Sequence, residues 1–190
     1  MKKLITAILL LALAVPAFSQ DYQVSKWSIR ASGAYYPTVP FIVLPWLGLG
    51  VGLSADKDAG ETSQIDFPPY VSLEAAYSFN ERWSLGLNTG YAGLTGKVLN
   101  ADGSVKSSSS LVLIPLTVVG RCNYLNRPAF KLYGTLEAGA MFSVDGTFDA
   151  IPDVQLNPIG MEFGRRLFGL VELGAGVNYV GVRGGLGYRF

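Results

Sequence analysis

VSLEAAYSFNERWSLGLNTGYA, residues 71 to 92, alternates between apolar residues and small or polar ones over two strand lengths. Val71, Leu73, Ala75, Tyr77 and Phe79 share one parity, with Ser72, Glu74, Ala76 and Ser78 between them. After Asn80, Glu81 and Arg82 the pattern resumes. Trp83, Leu85, Leu87, Thr89 and Tyr91 alternate with Ser84, Gly86, Asn88, Gly90 and Ala92. A period of two is the signature of a strand with two unlike faces. The stretch predicts a β-hairpin with Phe79 and Trp83 flanking a tight turn, as aromatics flank the ends of strands at a membrane–water interface.

The same period extends outward in both directions. Trp27, Ile29, Ala31, Gly33 and Tyr35 predict a first strand. Residues 111–124 predict another, ending at Tyr124 before Leu125, Asn126, Arg127 and Pro128; residues 130–142 follow, with Phe130, Leu132, Leu136, Ala138 and Phe142 on one face. Three more strands are expected at about 154–163, 167–177 and 180–190. The total is eight, most near the ~9–11 residues that a tilted membrane-crossing strand needs. Turns at 80–82, 125–129 and 164–166 are short, and another falls near Asn178. Connections at 37–69, 95–110 and 143–153 are longer and richer in Gly, Ser, Asp and Pro. Such alternation of short and long connections suits an up-and-down barrel. Leu47 to Leu53 alternates too; residues 44–54 are assigned to an excursion of the first connection, with an additional strand there left open.

Residues 1–19 have the three parts of an export signal: Lys2 and Lys3, an apolar run from Leu4 to Val15, and the small-x-small site Ala17-Phe-Ser19. The apolar run falls short of the ~18 residues of a spanning helix. No Cys follows the expected cleavage point, which argues against a lipid anchor. Cleavage removes two lysines and turns 15 basic against 14 acidic residues into 13 against 14. A near-neutral chain gives no electrostatic case for nucleic acid. Hydrophobic content of 49% and a mean hydropathy of +0.32 are high, yet the most apolar later stretch, Phe41 to Leu53, is interrupted by Pro45, Gly48, Gly50 and Gly52. The expected fold is therefore all-β: an eight-stranded antiparallel up-and-down transmembrane β-barrel after a cleaved signal peptide, with residues 20–190 in the outer membrane of a Gram-negative cell.

On this pattern Arg30, Glu74, Arg121, Lys131, Glu137, Glu162, Glu172, Arg183 and Arg189 face the lumen. A charged pore or a catalytic cluster is one reading; a compensated ion-pair network is the other. An eight-stranded barrel is barely wide enough for its own side chains, and unpaired charge there is costly, so the network is preferred. Glycines within the strands, among them Gly86, Gly90, Gly139, Gly174, Gly176, Gly185 and Gly187, are read as making room for long charged side chains. Cys122 is the sole cysteine, which excludes a disulfide framework and a cysteine-based metal site; it is read as a small packing residue. The serine run 107–110 is read as a solvated loop.

PIGMEFG at 158–164, FGLVELGAG at 168–176 and GVRGGLGYRF at 181–190 together resemble the end of small outer-membrane β-barrel proteins of the OmpA/OmpX-like group. The resemblance implies that the barrel assembly machinery recognises the last strand through Tyr188 and Phe190. It also implies outer-membrane lipids as the surroundings, and carries neither cofactor nor metal. Barrel enzymes of that membrane resemble one another in relying on a catalytic His. This chain has no His, which removes the usual acid–base group and the Ser–His arrangement. The function expected is non-catalytic: a plugged barrel acting in envelope structure or surface interaction through its outer loops. A narrow porin-like channel, with Arg183 and Glu172 as gating charges, is the alternative; a lipid-acting enzyme is the second. Phe41, Ile42, Leu44 and Trp46 are candidates for surface contact, with a partner, outer-leaflet lipid or a merely interfacial position left open.

Overall fold

The computed structural model describes residues 26–35, 62–66, 68–144 and 150–190. Residues 1–19, the run Phe41, Ile42, Leu44 and Trp46, and the segment 44–54 lie outside them. Among the described residues nine strands are formed: β1 (Trp27–Ala34), β2 (Thr62–Asp66), β3 (Tyr70–Ser78), β4 (Trp83–Leu99), β5 (Val105–Arg127), β6 (Phe130–Ser143), β7 (Ile151–Gly164), β8 (Leu167–Gly176) and β9 (Val180–Arg189). Neighbours pair antiparallel, and β1 pairs with β9 to close the sheet on itself.

The barrel has eight staves, not nine. β2 and β3 lie one above the other along the same side of β4, with Asp66 opposite Thr95 and Val71 opposite Tyr91. Five steps of chain on one side match four on the other, so one residue is extra where Pro68 and Pro69 interrupt the stave. Proline cannot donate to a ladder and sits at such breaks. The connection expected over 37–69 is thus partly strand.

A second correction concerns 95–110, expected as a loop. β4 and β5 continue through it as a hairpin, turning over Asn100 to Ser104. Gly103, with φ of 80°, adopts the left-handed conformation there, as a Gly after Asp does in tight hairpins. Asp102 accepts hydrogen bonds from the Ser104 hydroxyl and backbone N–H, which hold its carboxyl below the usual range. The serine run 107–110 is therefore strand, paired with residues 95–98. β6 stops at Ser143, opposite Leu113, so Val105–Val112 run on for about 25 Å of strand length beyond the last β6 partner. With β2 they make a three-stranded blade at one end of the barrel.

The opposite end is held tight. Its turns are short, at residues 79–82, 128–129 and 165–166. The fourth connection at the blade end, residues 177–179, is equally short, so long connections are not a rule at that end. Burial alternates along the strands: β3 reads buried at Tyr70, Ser72, Glu74 and Ala76 and exposed at Val71, Leu73 and Ala75. A register shift between Leu156 and Ile159 breaks this parity in β7, so Asn157 and Glu162 both point inward although five residues apart.

Where β1 meets β9 the strands come close. A Cβ on Gly185 would fall 2.7 Å from Ser32 Cα and into the Ala31 carbonyl, whereas one on Gly169 would meet nothing within 4 Å. Gly185→Val should therefore lower the unfolding free energy by about 1–3 kcal/mol, the cost of overpacking, with Gly169→Val near neutral. Urea-induced unfolding followed by tryptophan fluorescence checks both.

Candidate functional site: the barrel lumen

The inward positions expected to be charged lie in one continuous interior. Arg30, Glu74, Arg121, Glu137, Glu162, Glu172, Arg183 and Arg189 are each no more than 6% exposed. They form two chains of alternating sign. In the first, nearer the tight turns, Glu74 lies between two guanidinium groups. Arg30 Nη1 donates to its Oε1 at 2.7 Å, and Arg121 Nη2 to both oxygens at 2.9 and 3.0 Å. Arg30 also reaches Glu162 at 2.9 Å, and Glu162 pairs with Arg189 in turn. The order is Arg121, Glu74, Arg30, Glu162, Arg189. Arg189 ends the chain by donating to the carbonyls of Gly164 and Arg165.

The second chain is Glu137, Arg183, Glu172. Arg183 Nη2 donates to Glu137 at 2.8 Å and its Nε to Glu172 at 2.6 Å. Four arginines thus meet four glutamates, with one excess positive charge on the first chain and one excess negative charge on the second. Tyr133 stands between the two. Its hydroxyl donates to Glu172 at 2.7 Å, while the Arg121 guanidinium lies over its ring at 4.9 Å. Lys131, the ninth residue of the set, is half-buried opposite Glu162 in the β6–β7 ladder.

Amides and hydroxyls surround the second chain. Asn88 donates to Glu137 at 2.9 Å and Asn157 donates at 3.2 Å. Asn157 also donates to the Thr135 hydroxyl and accepts from Tyr179 at 2.7 Å. Beyond them, toward the blade, lies an apolar cap: Tyr70, Leu113, Met141, Ile151 and Tyr179 are buried together with Leu111, Ala34 and Ala92, and Tyr70 stacks on Tyr179 at 6.2 Å. Asn178 holds Asp153 with its amide 3.0 Å from both carboxylate oxygens.

Glycine parity fits this filling, for aromatic rings and amides more than for charges. A Cβ on Gly160 would strike the Tyr133 ring at 2.5 Å; Gly187 makes the same room for Phe168, and Gly174 for Asn157. Gly86 is the position that clears space beside Glu74.

The sequence pattern placed the charges on the inward face but passed over the neutral partners that hold them. Tyr133, Thr135 and Glu137 share one parity on β6, so the alternation that marks Glu137 also marks Tyr133. Asn157 was hidden by the irregularity in β7. Tyr70, Tyr179 and Asn88 carry no net charge and gave no comparable signal. Cys122 is half-buried on the outward parity of β5, between inward Arg121 and Asn123.

Chemically, the arrangement neutralises itself. Each of the four glutamates is engaged by an arginine, and the fifth buried carboxylate, Asp153, is held by the Asn178 amide. Among the described residues no group of three or more potential metal ligands lies together. No protein-family model, no curated protein and no solved structure matches the chain.

Removing one member of such a chain leaves its partners charged and buried, at a cost of about 3–5 kcal/mol. Glu74→Leu should show that loss, because both Arg30 and Arg121 depend on it. Adding Arg121→Met should recover part of it, and a double-mutant cycle on unfolding free energies reads the coupling.

Proposed function

We propose that this protein is a non-catalytic barrel of the bacterial outer membrane, its lumen closed by its own side chains, acting in envelope structure or surface interaction through the end that carries the blade. The carrying observation is an inverted distribution of polarity. Arg, Glu, Asn and Gln side chains are buried inside, while Ile29, Leu73, Leu87, Leu136, Leu156, Leu173 and Leu186 stand exposed around the outside. A sheet immersed in water would be unstable with that face. A closed barrel in lipid is stable with it, because closure satisfies every backbone group in the ladder and leaves no edge.

Aromatic residues gather at the tight-turn end of the outer face. Trp27, Phe79, Trp83, Tyr188 and Phe190 are all exposed there, and Tyr188 lies 5.1 Å from Phe190 in an edge-on contact. Aromatic girdles mark the membrane–water boundary. With an even number of staves, Trp27 and Arg189 lie at the same end, which an export signal at residues 1–19 would place in the periplasm. The resemblance of residues 158–190 to OmpA/OmpX-like barrels agrees, and Tyr188 and Phe190, which the assembly machinery would read on that resemblance, are exposed.

The closed-lumen part of the reading rests on the two ionic chains and the apolar cap, stacked along the barrel axis. Their arrangement argues against steady passage of solutes and favours a role for the ends. The absence of His from the sequence supports a non-catalytic role.

Two measurements test the reading. The refolded protein should show no steady conductance in a planar bilayer; persistent openings would make a channel the better conclusion. Replacing residues 98–107 by an Asn-Gly turn, which joins the paired Lys97 and Ser108, should leave heat-modifiable gel migration and melting behaviour unchanged, since that part of the blade lies beyond the closed staves. Loss of the folded band would show the blade to be part of the barrel's own stability.

A further inference from the structure

The rim at the tight-turn end is basic. Its side-chain charges among the described residues are Lys26, Arg82, Arg127, Arg165 and Arg166 against Glu81. At the blade end the described charges alternate instead: Asp66, Lys97, Asp102 and Lys106, with Lys97 and Asp66 paired at 3.7 Å. The asymmetry is not a property of the composition, which is close to neutral.

The basic rim is also held in place. Asn123 and Asn126 both donate to the carbonyl of Glu81 at 2.9 Å, and the backbone N–H of Asn123 donates to the Arg82 carbonyl at 2.7 Å. These bonds tie the first turn to the end of β5. The Gly164 N–H donates to the Ala129 carbonyl at 2.9 Å and the Arg189 N–H to that of Arg166 at 2.8 Å. Phe190 N–H meets the Trp27 carbonyl at 3.0 Å, and Ser78 N–H the Lys26 carbonyl at 2.7 Å. The bonds run from turn to turn around the whole circumference. The backbone that carries these cations is fixed in height and spacing, which lowers part of the ordering cost of binding.

The rim adjoins the exposed aromatics Trp27, Phe79, Trp83 and Phe190. In a bilayer such aromatics lie at headgroup level, and cations beside them face the phosphates. We propose that this rim is a binding surface for anionic phospholipid headgroups, gathering them around the turn end of the barrel from the leaflet whose acyl chains touch the aromatic belt. The inference rests on the membrane reading above and goes beyond it by naming the lipid class and the residues that select it. The recognising chemistry is guanidinium to phosphate, which Arg satisfies with paired N–H donors. Arg82, Arg127 and Arg166 are exposed on three successive turns, so the headgroups would be held around the rim, not at a single pocket.

The test uses the full mature chain with Trp27→Phe and Trp46→Phe, leaving Trp83 beside Arg82 as the reporter. It is reconstituted in phosphatidylcholine vesicles with an equal minority of brominated lipid, either phosphatidylglycerol or phosphatidylcholine. Bromine quenches tryptophan only at close range. Brominated phosphatidylglycerol should quench Trp83 about twofold more than its zwitterionic counterpart, from local enrichment by surface cations. The excess should shrink in high salt, since the charges are exposed. It should vanish in the triple variant Arg82→Gln, Arg127→Gln, Arg166→Gln, whose folding is verified by heat-modifiable migration.

Equal quenching by the two lipids overturns the headgroup inference while the membrane reading stands, and leaves the rim to an acidic soluble partner. An excess that survives in the triple variant overturns it as well, because the selecting residues are then elsewhere. No quenching by either lipid removes both the inference and the membrane reading beneath it.

Discussion

The alternating chain Arg121, Glu74, Arg30, Glu162, Arg189 is the constraint on which the rest of this structure depends. Its members come from β5, β3, β1, β7 and β9, and Glu137, Arg183 and Glu172 bring in β6 and β8. Asn88 on β4 joins by its bond to Glu137. Every stave of the barrel therefore contributes a side chain to one connected polar interior. Moving any strand by one residue would turn its charge outward and replace it with an apolar group, since side chains alternate with a period of two. The network acts as a register lock for the sheet, and each arginine is useful only if the neighbouring strands are already in place.

That dependence explains the choice of residues. Arginine offers several donors in a planar fork and stays charged when buried, so one group can bridge two carboxylates from different strands, as Arg30 and Arg183 do. Aromatic rings complete the packing where a carboxylate cannot reach. Arg189 lies over Phe168 at 4.1 Å and Arg183 over Tyr179 at 5.3 Å. Gly187 beside Phe168 and Gly160 beside Tyr133 keep the narrow interior from overfilling. The net contribution of such buried pairs to stability is small, because desolvation offsets attraction; what they add is specificity of register.

Much of this was legible in the sequence, for a physical reason. Period-two alternation is a local property, so the cores of eight staves and the inward face of each can be read without knowing the fold. Arg30 and Glu74 fall opposite one another once β1 and β3 are paired, and Glu172 and Arg183 once β8 and β9 are. The failures were at places where local pattern and tertiary pairing diverge. Residues 105–110 are serine-rich and poor strand formers in isolation, yet β4 supplies them with a ladder. Thr62–Asp66 becomes strand because β4 is long enough to pair with it beyond the Pro68–Pro69 break. The irregularity between Leu156 and Ile159 shifts parity within one strand, which no strict alternation anticipates. Of the interior tyrosines, Tyr133 lies on the parity that marks Glu137 and was open to the same reading, whereas Tyr179 lies in the connection before β9, where no alternation runs and its bond to Asn157 places it inside.

A lumen filled in this way leaves the two ends as the surfaces that can differ in function, and the chain has made them unlike. One end is short, tied turn to turn by backbone hydrogen bonds, and basic. The other extends past the closed staves as a strand blade whose described charges alternate in sign. Val105–Val112 pairs with β4, and among the described residues the β6 side follows it no further than the Val144 N–H on the Val112 carbonyl. Short polar side chains such as those of Ser107, Ser108 and Ser110 suit a strand that outlasts its described neighbour, because they keep it solvated. In the membrane proposed above, the end tied turn to turn would suit a seat at the lipid surface, and the projecting end would suit contact with what lies outside it, which needs reach. On the proposed closed-lumen reading neither end has to serve as the mouth of a passage, which leaves the two ends free to specialise.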